Sequence, residues 1–446
     1  MVIKASLKPL ADLATFLEPF GSLVRRAQSR HALERYTTGL LADLRRKTAS
    51  DLGRAVAGTN GQRLQEFLTR TKWDSGGMDR LRVQQMVAQA SVGCGVQIID
   101  DTGFAKKGTC SVGVARQYSG TLGRVDNCQV LVTSHYVDRS SDWPIMARLY
   151  LTEGWTQDAA RLRAAKVPSG TTFKTKGEIA LDLIDSGIAA GVPTWAVVAD
   201  AGYGDQPVLL QGMEARDLPY VVGVACSARY RLVRDVDLDP GAEPTPLYPG
   251  RGRPKRPRRL EERLPSCEAS TLLEARPEDD WCTIRWREGT KGDLVKRFGR
   301  VRVYRVGHRG KHLPTSGWLI GERPLPDHQG ESKYFFAWGL DSLSLRDLVI
   351  LAHCRWVIER FYQDAKGELG LDDYEGRFWT GLHRHVALVM LAHCYLALRR
   401  RITEANNLPP EPGVVSNQEQ AMPTTPVAGF PPQGSRERTR LAAGRA

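Results

Sequence analysis

The amino-acid sequence predicts an α/β protein in which a mixed sheet is flanked by helices, with an N-terminal helical domain and an inserted β-rich subdomain. Three observations lead there. Apolar residues recur at helical spacing through the first ninety positions, short apolar runs bounded by turn residues alternate with a helical stretch between 95 and 225, and β-like pieces then interrupt that pattern until helix returns at Ser344. At 446 residues the chain is long enough for two to four folding units and a sizeable core.

Taken in order, the segment 1–90 reads as a helical domain. Leu33-Glu-Arg-Tyr-Thr-Thr-Gly-Leu-Leu-Ala-Asp-Leu44 repeats apolar residues at three and four positions, and Gly58-Thr-Asn-Gly breaks the pattern before Leu64-Gln-Glu-Phe-Leu resumes it. Its basic residues Arg25, Arg26, Arg30, Arg45, Arg46 and Lys47 suit phosphate contacts, and equally suit solvated helix faces. Segment 91–228 forms the first part of an α/β domain. Gly95-Val-Gln-Ile-Ile-Asp is a buried strand closing on an acid; β-like segments follow at 111–118 and 129–137, a helix at 176–190, and strands at 194–200 and 220–225. Segment 229–340 is the β-rich insertion, with a basic linker crowded with Pro and Arg at 240–263 and strands around Trp281, Val301 and Gly317. Segment 341–402 carries a helix from Ser344 to about Glu368 and a second from His383 to Arg401, and 403–446 reads as a disordered tail.

Charge narrows the partners. Lys and Arg number 63 against 50 Asp and Glu, a formal +13 that attracts polyanions and puts nucleic acid first. The eight cysteines form no C-x-x-C pair and no zinc spacing, so they read as reduced thiols. The first residues lack a signal-peptide core and no apolar run reaches membrane-spanning length, so the expectation is a soluble, cytoplasmic protein with no membrane partner.

Chemistry gathers at three acids. Asp100 and Asp200 each end an apolar strand where a loop begins, the position at which α/β sheets collect ligands; the same position also suits turn and cap residues. In Arg355-Trp-Val-Ile-Glu-Arg-Phe-Tyr-Gln-Asp-Ala-Lys366, the residues Arg355, Glu359, Tyr362 and Lys366 fall on one helical stripe beside an apolar stripe of Leu351, Cys354, Ile358, Phe361 and Ala365. That places a carboxylate at the border of the core with basic neighbours, although an ordinary solvent-facing ion-pair ladder has the same spacing. Three carboxylates brought together resist joint ionisation unless a cation compensates. Mg²⁺, held by oxygen ligands beside phosphates, is the expected cofactor, as two ions with Mn²⁺ able to substitute.

At these residues the sequence resembles the DDE transposases of bacterial insertion sequences, in the branch named after IS seven-oh-one within the wider IS-four-like group. Ile99-Asp-Asp-Thr-Gly-Phe-Ala-Lys-Lys-Gly is similar to its first-aspartate motif, and Arg116-Gln-Tyr-Ser-Gly-Thr-Leu-Gly-Arg-Val-Asp-Asn-Cys-Gln continues the likeness. Asp200-Ala-Gly-Tyr-Gly resembles the second-aspartate motif, and Arg355-x3-Glu359-x6-Lys366 most of a Tyr-Arg-Glu-Lys signature, whose tyrosine would fall at Ala352. The resemblance, which runs over roughly 62–400, implies an RNase H-like catalytic domain interrupted before the glutamate. It also implies cut-and-paste transposition: cleavage at element ends, then attack of the freed 3′-hydroxyl on target DNA. Asp100, Asp200 and Glu359 would be the catalytic and metal-binding acids, with Asp100 preferred over Asp101 by motif position. Lys107, Tyr203, Arg355, Tyr362 and Lys366 would contact DNA. The partners implied are double-stranded DNA, both terminal inverted repeats and target, and a homodimer on DNA ends.

A further DNA-facing feature is Pro249-Gly-Arg-Gly-Arg-Pro-Lys-Arg-Pro-Arg-Arg259, whose Arg251 and Arg253 resemble an AT-hook entering a narrow minor groove; nonspecific phosphate binding and a solvated loop are the other readings. Trp281, Trp286, Trp318 and Trp338 are candidates to stack on a displaced base, or core aromatics. Two other functions stay open: a noncatalytic DNA-binding regulator derived from such an enzyme, and a stand-alone RNase H-like nuclease.

Overall fold

A computed structural model of the chain describes residues 11–120, 123–237, 264–289, 292–307 and 312–407. The N-terminal segment folds into helices α1 (Ala11–Leu17), α2 (Ala27–Leu41), α3 (Ala49–Ala55), α4 (Gly61–Thr69) and α5 (Ser75–Gln89). Their starts are written in side chains: Thr48, Asn60 and Asp74 each accept backbone N–H groups of the first turn of α3, α4 and α5. A cap of this kind contributes about 1 kcal/mol. The buried stripe of α2, Leu33, Tyr36 and Leu40, matches the helical spacing expected of it. Arg82 of α5 is fully buried and donates to the carbonyls of Pro144 and Ile145 and to Asp79, tying these helices to the sheet.

The first half of that sheet comprises β1 (Gly95–Ala105), β2 (Ala115–Ser119), β3 (Arg124–Val137), β4 (Asp142–Leu149), β5 (Thr194–Ala199) and β6 (Tyr220–Val224). Strand β3 runs antiparallel to β1 and also carries β2 and β4, whereas β1, β5 and β6 are mutually parallel neighbours. The parallel crossover is α6 (Lys176–Ala189), opened by a capping box in which Thr175 and Glu178 satisfy each other's backbone N–H. Two short helices, α7 (Ala201–Gly204) and α8 (Pro207–Glu214), link β5 to β6. Three strands were expected before α6 and four are present. The extra one, β4, contains Pro144, which argues against a strand in sequence; it sits at a register shift opposite His135 on the sheet's margin, where proline is tolerated.

Residues 229–340 add β7 (Arg229–Leu232), β8 (Cys267–Glu268), β9 (Cys282–Gly289), β10 (Gly292–Val306), β11 (His312–Arg323) and β12 (Lys333–Trp338). Strand β12 pairs antiparallel with β6, so these strands continue the same sheet, in the order β2-β3-β1-β5-β6-β12-β11-β10-β7-β8. The expected single helix after Ser344 is two, α9 (Leu345–His353) and α10 (Trp356–Gly367), broken at Cys354 and Arg355, where no Gly or Pro marks the break. The last helix, α11, spans Trp379–Asn407. The basic linker at 240–263 and nearly all of the expected tail lie outside the described residues.

Alternation along the central strands divides the core. Ile98 and Val198 pack with Phe361 of α10 and Leu391 of α11, while Ile99 and Val197 pack with Ile184 of α6 and Tyr203 of α7 on the other face. The fold is thus a mixed α/β sheet between helical layers, as expected. Among the described residues no helix is long and apolar enough to cross a membrane, and all eight cysteines are free thiols.

Candidate active site

The parallel register of β1 and β5 sets Ile99 against Ala199. Asp100 and Asp200 are the next residues of each strand, so the two acids leave neighbouring strands at the same level, where an α/β sheet opens to ligands. Asp100 is 8% exposed and on the α10 side of the sheet. Asp101 follows on the opposite face, where its Oδ2 accepts from Lys176 Nζ at 2.8 Å and from the Tyr203 phenol at 3.5 Å. Asp200 caps α7, taking the Tyr203 N–H on Oδ1 at 3.3 Å. The glycine closing Asp200-Ala-Gly-Tyr-Gly has a steric reason: a Cβ on Gly204 would stand 1.8 Å from the Gly223 carbonyl oxygen of β6.

Helix α10 supplies the third acid. Its apolar residues Val357, Ile358, Phe361 and Ala365 are buried, which turns the neighbouring polar stripe toward the strand ends. Arg355 bridges: Nη1 donates to Asp100 Oδ2 and Nη2 to Glu359 Oε1, each at 2.6 Å. Glu359 keeps a side chain 54% exposed, open to a ligand. Tyr362 shares a 2.5 Å hydrogen bond with the hydroxyl of Thr133, the residue registered against Asp100 on β3. Lys366 donates to the Gly103 carbonyl at 3.1 Å and lies 5.5 Å from the centre of the Phe104 ring.

The electrostatics follow from burial beside like charge. Burial pushes the Asp100 carboxyl up to about 7, against the pull of Arg355 and with the help of Asp200. Burial also raises Asp200, again against Arg355. Burial opposes the charge on Arg355, but Asp100, Glu359 and Asp200 outweigh it and hold the guanidinium above its ordinary range. The phenols of Tyr203 and Tyr362 are buried beside these acids and stay protonated, and burial lowers Lys366. Among the described residues no three His, Cys, Asp or Glu side chains are drawn together as closely as metal ligands are. Arg355 is the cation that Asp100 and Glu359 share.

Lys107 is exposed in the loop beyond β1, whereas its neighbour Lys106 is tied to the Tyr374 carbonyl at 2.7 Å. Arg251 and Arg253 lie outside the described residues. Ala352, at the place of the signature tyrosine, is buried in α9. Trp281 is buried under Arg323; Trp286 packs on His353, Trp318 lies beneath Arg300, and Trp338 stacks on Tyr220. Two residues beside the acids were not singled out in sequence. Thr133 is visible only through strand register, and Lys176 has the one local signal of opening a box-capped helix.

The family described as DDE superfamily endonuclease matches residues 16–293, well over half of the chain. The match includes Asp100 and Asp200 and ends before Glu359. A relative from Microchaete diplosiphon, named "Probable transposase for insertion sequence element IS701", is 30% identical over 222 residues, covering 49% of this chain and 56% of the relative. The chain therefore spans little more than half the length of that relative. The chain belongs to the DDE superfamily endonucleases.

Proposed function

We propose that the chain is a DDE transposase that cuts DNA at the ends of its element and joins the freed 3′-hydroxyl to target DNA, with Asp100, Asp200 and Glu359 as its catalytic acids on an RNase H-like domain. The observation that carries this reading is the level exit of Asp100 and Asp200 from neighbouring parallel strands, with Glu359 tied to Asp100 through one guanidinium.

The donor set suits a hard divalent cation. It consists of carboxylate oxygens alone, and the buried Asp100 carboxyl, at about 7, is of a kind that a nearby positive charge would ionise. Asp100, Asp200 and Glu359 would hold Mg²⁺, as two ions or with Mn²⁺ in its place, and such ions activate an attacking oxygen and stabilise a leaving one in phosphodiester displacement. The chain's own groups do the rest. Arg355 presents two N–H pairs in a planar fork matched to phosphate as well as carboxylate, and is held at the acids before DNA arrives. Lys366 and the exposed Lys107 add charge along the strand ends, while the buried phenols of Tyr362 and Tyr203 brace Thr133 and Asp101 from within and, in this conformation, do not reach the DNA expected to contact them. Arg251 and Arg253 would hold DNA farther from the acids. Joining two ends calls for two such centres, so the active form would be a homodimer on DNA.

The test is a reaction of the purified chain with labelled duplexes carrying the element's ends, in Mg²⁺ or EDTA, beside Asp200→Asn. Metal-dependent cleavage and a joined product from the wild type alone are expected. Binding without cleavage by either protein would replace the reading with a DNA-binding regulator, and cleavage without joining with a nuclease.

A further inference from the structure

Away from the acids, α3 and α4 form an arrangement that the catalytic reading does not use. The two helices are joined by a five-residue turn and cross in backbone contact: a Cβ on Gly53 of α3 would stand 2.0 Å from the Gly61 nitrogen, and one on Gly61 would stand 3.0 Å from Ser50 Cα. This contact fixes the angle at which α4 is presented. Leu64, Phe67 and Leu68 bury one side of α4 against the core, leaving Gln62, Arg63, Gln65 and Arg70 exposed on the other.

The ridge is bordered by two grooves of different charge. On one side a groove of about 430 Å³ is lined by Arg26 and Arg35 of the α2 segment, by Arg63, and by the turn residues Gly58 and Thr59, with Glu66 as its one acid. The Arg35 Nη1 is shielded from solvent and has no hydrogen-bond partner among the described residues. Glu66, which also accepts from Gln62 at 3.2 Å and pairs with Arg70 at 3.8 Å, is one acid against three arginines, so the groove keeps a positive excess. The groove on the other side sets Glu66, Asp373 and Glu375 against Lys47, Arg70 and Arg377 and has no such excess.

We infer that α4 is a base-reading helix that lies in the major groove of duplex DNA, with Gln62, Arg63 and Gln65 toward the base edges and Arg26 and Arg35 on the flanking phosphates. A B-form major groove admits one α-helix, Gln and Arg side chains suit the edges of adenine and guanine, and arginines beside such a helix fix its register on the backbone. Arg26, Arg35 and Arg63 together give the groove the positive charge that a phosphate backbone requires. The inference rests on the reading of the chain as a DNA-processing enzyme only for the choice of polyanion.

The test is selection of bound sequences from a random-sequence duplex library by the full chain in EDTA, followed by affinity measurements on selected and scrambled duplexes over a salt series. The wild type is expected to select a motif. Arg63→Ala and Gln65→Ala should each weaken the selected duplex about 10-fold or more and scrambled DNA hardly at all. Arg35→Gln should weaken both alike and lower the salt slope by about one. Melting temperatures of all three variants should match the wild type, which separates lost DNA contacts from lost stability for the exposed Arg63 and Gln65 and for the half-buried Arg35. The inference is overturned if the wild type selects no motif, or if the α4 variants select the same motif with undiminished affinity. Asp200→Asn should keep the motif; failure of the wild type to cleave in Mg²⁺ while it still selects a motif would remove the transposase reading and leave this one standing.

Discussion

Arg355 stands where two carboxylates need a cation, and its bidentate geometry decides what can replace it. A lysine offers a point charge on a flexible stem and lacks the two fixed nitrogens with which Arg355 spans Asp100 and Glu359. Arg355→Lys is therefore expected to lower the cleavage rate by about 100-fold, the scale of an ångström-level misplacement in an active site, while DNA affinity falls far less; single-turnover kinetics beside a binding titration separate the two. The pH dependence follows from Asp100. Its carboxyl is raised, mainly by burial, to about 7, so in the metal-free protein it is protonated below that pH and ionised above it. A metal ligand must be ionised, so Mg²⁺ affinity should rise about 10-fold per pH unit below pH 7 and level off above it, as titration calorimetry would read; a flat profile from pH 5.5 to 8 would contradict this. At this scale the sequence was informative about types and spacing, since Arg355, Glu359, Tyr362 and Lys366 do share a face. It was silent on partners: nothing local to Asp101 announces Lys176, and nothing near Tyr362 announces Thr133.

Among the elements, the short helix after β5 is the most constrained. Gly204 lets α7 lie against the β6 backbone, and α7 in turn holds Asp200 through its cap. Gly204→Ala is expected to cost about 2 kcal/mol of stability, the middle of the range for overpacking, and to reduce cleavage by pushing Asp200 off the level of Asp100; thermal melting and the cleavage assay check the two effects separately. The boundaries of β1, β5 and α6 were legible because short apolar runs and the Thr175 to Glu178 box announce them. Strand β4 was hidden by Pro144, which only its marginal position makes acceptable, and the break between α9 and α10 has no breaker residue to reveal it. The pairing of β12 with β6 is a contact between residues more than a hundred positions apart, which no local pattern encodes.

Across the whole molecule, one sheet gathers groups that are far apart in the chain. Its parallel centre brings Asp100 beside Asp200, the strands of 229–340 continue it past β6, and α10 returns across its α10–α11 face to set Arg355 and Glu359 at the same opening. The α/β class could be read from alternating strand and helix patterns; the placing of Asp100 beside Asp200, and of Glu359 across Arg355 from Asp100, depends on nonlocal strand order, which the motif positions imply only through a family likeness. The central claim is that Asp200 is a metal-binding carboxylate in a centre that cuts DNA. Its most direct test replaces that hard oxygen ligand by a soft one: Asp200→Cys, assayed for cleavage of a labelled duplex carrying the element's ends, in Mg²⁺ and in Mn²⁺. The expected result is loss of cleavage in Mg²⁺ with partial recovery in Mn²⁺, which accepts a thiolate more readily. Cleavage at the wild-type rate in Mg²⁺ would contradict it.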